Sequence, residues 1–378
     1  MIGRSWARLL FVTLLASGAA CAAPAGAPEE ELTQIARTPP APTATASPTA
    51  TTTPTPEPAA AAPTTTPGAS GASVTISAVG DISLARQVND WMALNGAGYP
   101  YELIQPLLTG DIVFANFEGA LTDAGEPWPK AFNFRTPPQF ASGLAAAGFD
   151  IVSLANNHAM DYGSQGLVDT AEALDGVGVQ HAGSGHDSVE AWQAAVIEAN
   201  GLRTAFIACV LTPSEGSGFT IGTWSASLGL GLFICSPDEI ALAVAAIQQD
   251  ADFVVVSIHA GDEYVNAPNA TQRELAEAAL AAGADIVLGH HAHVVQPIEQ
   301  RGNQLIAWGL GNFIFDLDQW DLAGIPEPRV SLILNITLTK GVGVTAWEAV
   351  PVTLDAEADR PRPATAEEAA VLQQLIQP

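Results

Sequence analysis

Four of the seven histidines fall in short polar clusters that also hold carboxylates and carboxamides. The clusters are Asp81; Asn116 with Glu118; Asn157 with His158; His259; and His291 with His293. His290 stands beside the last of them as an extra imidazole. Carboxylate, imidazole and carboxamide oxygen make a mixed donor set. It suits Mn, Fe or Zn better than the all-oxygen sites of Ca or Mg. No cysteine lies in the clusters, which excludes a structural zinc site of the Cys₄ type. In His291-Ala292-His293 the two imidazoles fall on one side of an extended segment, because side chains alternate. The donors suffice for one or two divalent ions with a carboxylate bridging. Two ions about 3.5–4 Å apart would clamp both oxygens of an in-line displacement at phosphorus. His158 directly follows Asn157, so its ring would lie outside the metals, where it could protonate a leaving oxygen. Asp161, three residues on, is within reach to orient it. Each cluster has a plainer reading when taken alone. Asp81 could be a helix cap, Asn116 and Asn157 turn residues, and His259 a structural histidine. Five together are hard to explain by caps and turns.

The elements that must position these residues are legible as patterns. Short strand patterns at Val74–Val79, 111–115, 150–155, Phe253–Ile258 and 285–288 each end at one of the clusters. Ala- and Leu-rich stretches at 137–147, 164–175, 237–249 and 270–282 read as helices between them. Strands of unbroken apolar residues alternating with helices indicate a buried sheet in an α/β fold. In such sheets ligands sit beyond the carboxyl ends of strands, so the five clusters converge on one rim. Arg203–Val210, Val330–Leu338 and Gly343–Val352 add strands. The last two form an antiparallel hairpin through Thr339-Lys340-Gly341, so the sheet is mixed. A closing helix is expected over 364–376.

These residues carry a resemblance. The segments AVGDISLAR (78–86), FANFEGALT (114–122), FNFRTPP (132–138), SLANNHAMDYGSQGL (153–167), IHAGDEY (258–264), GADIVLGHHAHVVQPIE (283–299) and GLGNFIFD (309–316) together resemble the calcineurin-like metallophosphatase superfamily. Within it they resemble the CapA branch, the poly-γ-glutamate capsule biosynthesis proteins. The resemblance implies a four-layer αββα sandwich with mixed sheets and a dinuclear site on one edge. By position it makes Asp81, Glu118, Asn157, His259, His291 and His293 metal ligands, with Glu118 the bridge, and puts His158 in the acid position. Lys130 and Arg135 match the Lys…Phe-x-Phe-Arg pattern and would grip an anionic substrate, a surface ion pair being the alternative. Asn116, Glu263, Tyr264 and Asn312 are pocket-lining candidates. The chain departs from the pattern in three places. Ser83 stands where most of the superfamily has a ligating His, Ala260 replaces a Trp, and His290 is extra, read here as a residue behind the ligands.

The first 73 residues read as something other than fold. Arg4 and Arg8, the apolar Leu9–Leu15 run and small residues leading to Cys21 read as a secretory signal over 1–21. The ending resembles a bacterial lipobox, which would make Cys21 the lipidated first residue of the mature chain. Residues 22–73, rich in Thr, Pro and Ala, cannot bury enough surface to offset ordering and are expected to be a disordered stalk. The folded domain is expected over 74–355, with a tail or helix over 356–378. Thirteen basic and 40 acidic residues give 13 − 40 = −27, which argues against a nucleic-acid partner; an anionic substrate would need metal or local cations. Cys209 lies in an apolar strand run and Cys235 precedes a helix start, so either a disulfide or two separate thiols fits. The Gly/Ser-rich 214–231 stretch with Trp224 reads as a flexible insertion near the pocket.

The leading functional expectation is a membrane-anchored lipoprotein on the bacterial surface. It would hydrolyse phosphoesters with a divalent metal in capsule or envelope polymer biosynthesis. Its partners would be an anionic polymer or phosphoester substrate, the membrane through the lipid anchor, and capsule synthesis or export proteins. A non-catalytic polymer-binding or export module, and an extracellular nucleotidase or phosphodiesterase, are the alternatives.

Overall fold

Runs of Val, Ile, Leu and Phe without polar interruption can face water on neither side, and the strands they form lie at the centre of the molecule. The computed structural model describes residues 71–317 and 328–378. The signal segment, Cys21 and the expected stalk up to residue 70 lie outside the described residues. Five strands carry the site: β1 (Ser73–Ile82), β2 (Ile112–Phe117), β3 (Ile151–Ser153), β4 (Phe253–Ala260) and β5 (Ile286–His290).

They belong to two mixed sheets. In the first, eight-stranded sheet, β1, β2, β3 and Gln180–Ala182 run parallel in that order. On the other side of β1 lies the antiparallel hairpin Val330–Thr339 and Gly343–Leu354, edged by Pro361–Pro363. In the second, six-stranded sheet, β5 and β4 run parallel beside Leu202–Leu211, with antiparallel edges. Apolar side chains of both sheets share one core, where Phe114 stacks on Phe206 with ring centroids 5.6 Å apart. The outer face of the first sheet packs against the helices Gln87–Asn95, Ala141–Ala147 and Gly163–Val177. The outer face of the second packs against Pro237–Ile247 and Ala270–Ala282. This is the four-layer αββα arrangement.

An aspartate fixes the start of four of the parallel strands. Asp111, Asp150, Asp252 and Asp285 each stand one residue before a strand. Each accepts, through Oδ2, the backbone N–H of a residue on the neighbouring strand: Thr75 at 2.8 Å, Val113 at 2.8 Å, Arg203 at 2.8 Å and Val254 at 2.9 Å. These N–H groups lie where the ladder begins and would otherwise lack a partner. The register set at the start runs unbroken to the carboxyl ends of β4 and β5, while that of β1 and β2 shifts by one residue between Ala78 and Asp81. There, Asp81 lies in register with Asn116 and with Asn312, and His259 with His290.

One segment crosses both sheets beneath these ends. A Cβ on Gly80 would lie 1.9 Å from the Gly311 carbonyl oxygen, and one on Gly289 would lie 1.9 Å from that of Trp308. Only glycine permits such an approach. The chain from Trp308 to Asn312 presses against the residues just before Asp81 and His290, locking the two halves of the rim together.

The structure differs from the sequence reading in several elements. The expected helix over 137–147 starts as a 3₁₀ turn, Pro138–Phe140, and becomes α-helical at Ala141. The C-terminal segment, by contrast, holds the closing helix expected over 364–376. Pro361–Pro363 joins the first sheet, and the helix Ala366–Leu375, capped by Thr365 and Glu368, closes the inter-sheet core with Leu372 and Ile376. The 214–231 stretch is pinned by buried Phe219, Ile221, Trp224 and Ala226. Apolar anchors, not the Gly/Ser content, decide its conformation. It lies within the 26-residue separation closed by a Cys209–Cys235 disulfide, whose Cα atoms are 5.6 Å apart. A cross-link of that span contributes about 3 kcal/mol by loop-closure entropy.

Candidate metal centre

Asp81, the ninth residue of β1, is fully buried and anchors the rim. Its Oδ1 lies 2.9 Å from His290 Nδ1 and accepts Asn116 Nδ2 at 2.9 Å, while its Oδ2 accepts the His291 N–H at 3.2 Å. Asn116 Nδ2 also lies 3.3 Å from Glu118 Oε2 and 3.3 Å from His259 Nδ1. On the far side of its ring, His259 Nε2 is 2.9 Å from Asn157 Oδ1. His293 Nδ1 lies 2.8 Å from Asn312 Oδ1, and its Nε2 lies 3.7 Å from Glu118 Oε1. Asp81, Glu118, Asn157, His259, His291, His293, Asn116 and Asn312 thus meet at one place. His290, behind Asp81, orients it.

The acid candidate sits at the edge of this group. His158 Nδ1 is 2.8 Å from Asp161 Oδ2, and Nε2 faces Glu118 Oε1 at 3.9 Å. A carboxylate only accepts, so Nδ1 carries the hydrogen in the neutral ring and Nε2 is left toward the cavity. The ring stacks on Phe134, 4.2 Å between centroids, and the Phe134 N–H donates to Asp161 Oδ2 at 2.6 Å.

Lys130 is a neighbour of this pair. Its buried side chain forms ion pairs with Asp161 at 3.0 Å and Glu215 at 3.3 Å, and donates to the Asn157 carbonyl. Its ammonium lies 5.1 Å and 5.2 Å from the ring centres of Phe219 and Trp224. All of this capacity is spent inside the protein. Arg135 lies apart. It is exposed, with its guanidinium 4.5 Å above Tyr162, and lines a separate hollow with Arg86, Asn89 and Asn133. Phe134 and Arg135 are successive residues entering a short strand pairing, so their side chains take opposite sides.

Beyond His158 opens a cavity of about 460 Å³. Asn157, His158 and His291 form its floor, and Phe132, Glu215 and Glu263 are among its walls. Tyr264, after Glu263, packs its ring 5.8 Å from that of His293 and donates its N–H to Ala292 O at 2.7 Å. Three contributors were missed by sequence reasoning. Asn156 donates to Asn116 Oδ1 at 3.1 Å and to Phe117 O at 2.7 Å, and accepts the His158 N–H at 3.1 Å. Its place in Asn156-Asn157-His158 was the available signal. Phe134, the second aromatic of Phe-x-Phe, was another. Glu215, in the Gly/Ser-rich stretch, had none.

The electrostatics of the rim call for a cation. Burial, then the charge of Asp81, pushes the Glu118 carboxyl well above its usual range. Burial would raise Asp81 too, but His290 and His293 outweigh it and hold it low. Burial lowers His259 strongly, and neighbouring imidazoles add to the effect. His291 falls to about 3 for the same reasons, burial first and then His293. For His293 burial is outweighed by Glu118, Asp81 and Glu263, which raise it to about 9. The buried Glu118 Oε1 and His291 Nδ1 have no hydrogen-bond partner. An orphaned buried polar atom costs about 1–3 kcal/mol, and both atoms are metal donors. Asp81, Glu118 and His293 each present one donor atom, all within 4.8 Å of one another. The residues present therefore fit a divalent ion.

Comparison with known proteins follows the same lines. The family of bacterial capsule synthesis proteins, PGA_cap, matches residues 75–317. The chain is 32% identical over 285 residues to the PGA biosynthesis protein CapA of Bacillus subtilis, covering 74% of this chain and 72% of that one. It is 29% identical over 311 residues to the capsule biosynthesis protein CapA of Bacillus anthracis, covering 80% and 72%. Among solved structures, the calcineurin-like phosphoesterase YfkN from Bacillus subtilis superposes with a TM-score of 0.45 at 15% identity, covering 81% of this chain and 97% of that one.

Proposed function

The chain belongs to the bacterial capsule synthesis protein family, and from that membership we propose that it is a metal-dependent phosphoester hydrolase of the cell envelope, acting in the making or export of a capsule polymer such as poly-γ-glutamate. One observation carries the chemistry: His158, with Nδ1 bound to Asp161 and Nε2 free, stands between the carboxylate–imidazole cluster and an open cavity.

Asp81, Glu118, Asn157, His259, His291 and His293 would hold one or two ions of Mn, Fe or Zn. When bound, such an ion supplies positive charge and Lewis acidity at a phosphoryl group. The chain's own residues do the rest. Asn116 holds Asp81 and Glu118 in place, and Asn312 fixes the His293 ring. Asp161 holds His158 in the tautomer whose Nε2 faces the cavity, and a proton carried there passes to the leaving oxygen. Lys130 keeps Asp161 in position. Phe134 covers one face of the imidazole and excludes water from it.

The proposal is tested on the full chain purified without chelator. One or two equivalents of Mn, Fe or Zn by elemental analysis, with metal-dependent turnover of a phosphomonoester, phosphodiester or nucleotide, is the expected result. Bound metal without turnover on any of them would favour a polymer-binding module on the same fold. No metal, even after reconstitution, would overturn the metal centre and the hydrolase together.

A further inference from the structure

Ser83 offers a hydroxyl where the first motif would supply an imidazole. In the structure Ser83 is buried and its N–H is engaged with the Ile314 carbonyl at 2.7 Å. The group around Asp81, Glu118 and His293 is therefore one strong donor short.

Glu263 belongs to a second donor group. It lies on the loop that follows β4, and its carboxylate, one ring nitrogen of His291 and one of His293 lie within 4.8 Å of one another. His293 belongs also to the group with Asp81 and Glu118. The two groups of three thus share an imidazole.

The backbone is bent to bring this about. Six described residues other than glycine have positive φ, and three of them are here: Tyr264 at 61°, His291 at 86° and His293 at 55°. Each such conformation costs on the order of 1 kcal/mol or more and persists only where surrounding contacts impose it. The contact that fastens the two loops is the Tyr264 N–H to Ala292 O bond, 2.7 Å long. It joins the residue after Glu263 to the residue between the two histidines. An independent observation points to a ligand at the same place. His291 Nδ1 is buried with no hydrogen-bond partner.

Resting on the metal centre proposed above, we infer that Glu263 is itself a metal ligand, joining His291 and His293 in a second donor group that shares His293 with the first. The acidic side chain on the cavity wall is then part of the centre and not a contact for the polymer. An exposed carboxylate also leaves that position open to water and exchange, so the ion nearest Glu263 is the more weakly held of two.

Equilibrium dialysis of the full chain against Mn²⁺, and separately Zn²⁺, with elemental analysis, tests this without reference to activity. Glu263→Gln keeps the shape and removes the charge. It should lose one equivalent or bind at least about tenfold more weakly, and Glu263→Ala should do the same. The midpoint of thermal unfolding without metal controls for folding and should match the wild type, since Glu263 is exposed. If the wild type binds metal and both Glu263 variants bind it equally well, this inference is overturned and the metal centre stands. If the wild type binds none, both fall.

Discussion

His158 and Asp161, three residues apart, meet with Nδ1 and Oδ2 at 2.8 Å, and the carboxylate they share with Lys130 is wholly buried. This fixes the imidazole in one tautomer and gives a sharp expectation. His158→Ala should reduce phosphoester turnover by about 10²–10⁴-fold, the usual contribution of a positioned proton donor, while leaving metal content nearly intact. Asp161→Asn should lower turnover less and also leave the metal. Initial rates paired with elemental analysis check both. A His158→Ala enzyme with unaltered rate would remove His158 from the mechanism.

Asp285 provides a pH test remote from the rim. Burial raises its carboxyl from 3.8 to about 6, against the Val254 N–H bond that lowers it. A raised folded-state value means that the native state binds the proton more tightly than the unfolded chain does. Stability from this group is therefore present below about pH 4 and lost as pH rises to about 6. Asp285→Asn keeps an oxygen acceptor for Val254 and cannot ionise. Relative to wild type it should gain on the order of 1 kcal/mol between pH 4 and 7, a figure reduced because the side chain is partly exposed. Denaturant midpoints at pH 4, 5, 6 and 7 read the gain. A difference that does not change with pH would show that Asp285 has no such shift.

Anchoring is tested at Cys21, which ends the signal-like segment outside the described residues. We propose that it carries lipid. Cys21→Ala should then move the protein from the membrane fraction to the soluble one. Retention of the variant in the membrane with its first 20 residues intact would mean an uncleaved anchor instead.

The strands and their ends were legible because parallel strands covered on both faces must be continuously apolar. Phe253–Ile258, apolar but for Ser257, has no other use for such composition, and the polar residue that follows marks the rim. Less legible were edge strands such as Ala195–Ala199, half exposed and short. At the site, His259 meets His290 through the unbroken register of β4 and β5, whereas Asp81 meets Asn116 only through a one-residue shift in the β1–β2 register between Ala78 and Asp81, which no sequence pattern announces. Arg135 was misplaced for the converse reason. Spacing puts it beside Phe134, but a change of one residue in an extended chain reverses direction, and only the fold says which of the two faces His158. Glu215 could not be read at all. Its position depends on where buried Phe219 and Trp224 draw the loop, and nothing local to it encodes that.

The pocket wall and the proton-handling pair are joined through one ammonium. Lys130 lies among Asp161, Glu215, Phe219 and Trp224, so one counter-charge comes from the pair and the other, with both aromatic faces, from the wall. Grafting another loop in place of 214–231, to redirect what the cavity accepts, would strip the lysine of three of these four neighbours and disturb the carboxylate on which His158 depends. Altered selectivity in this scaffold therefore requires exchanging Lys130 along with the loop, as a single cassette.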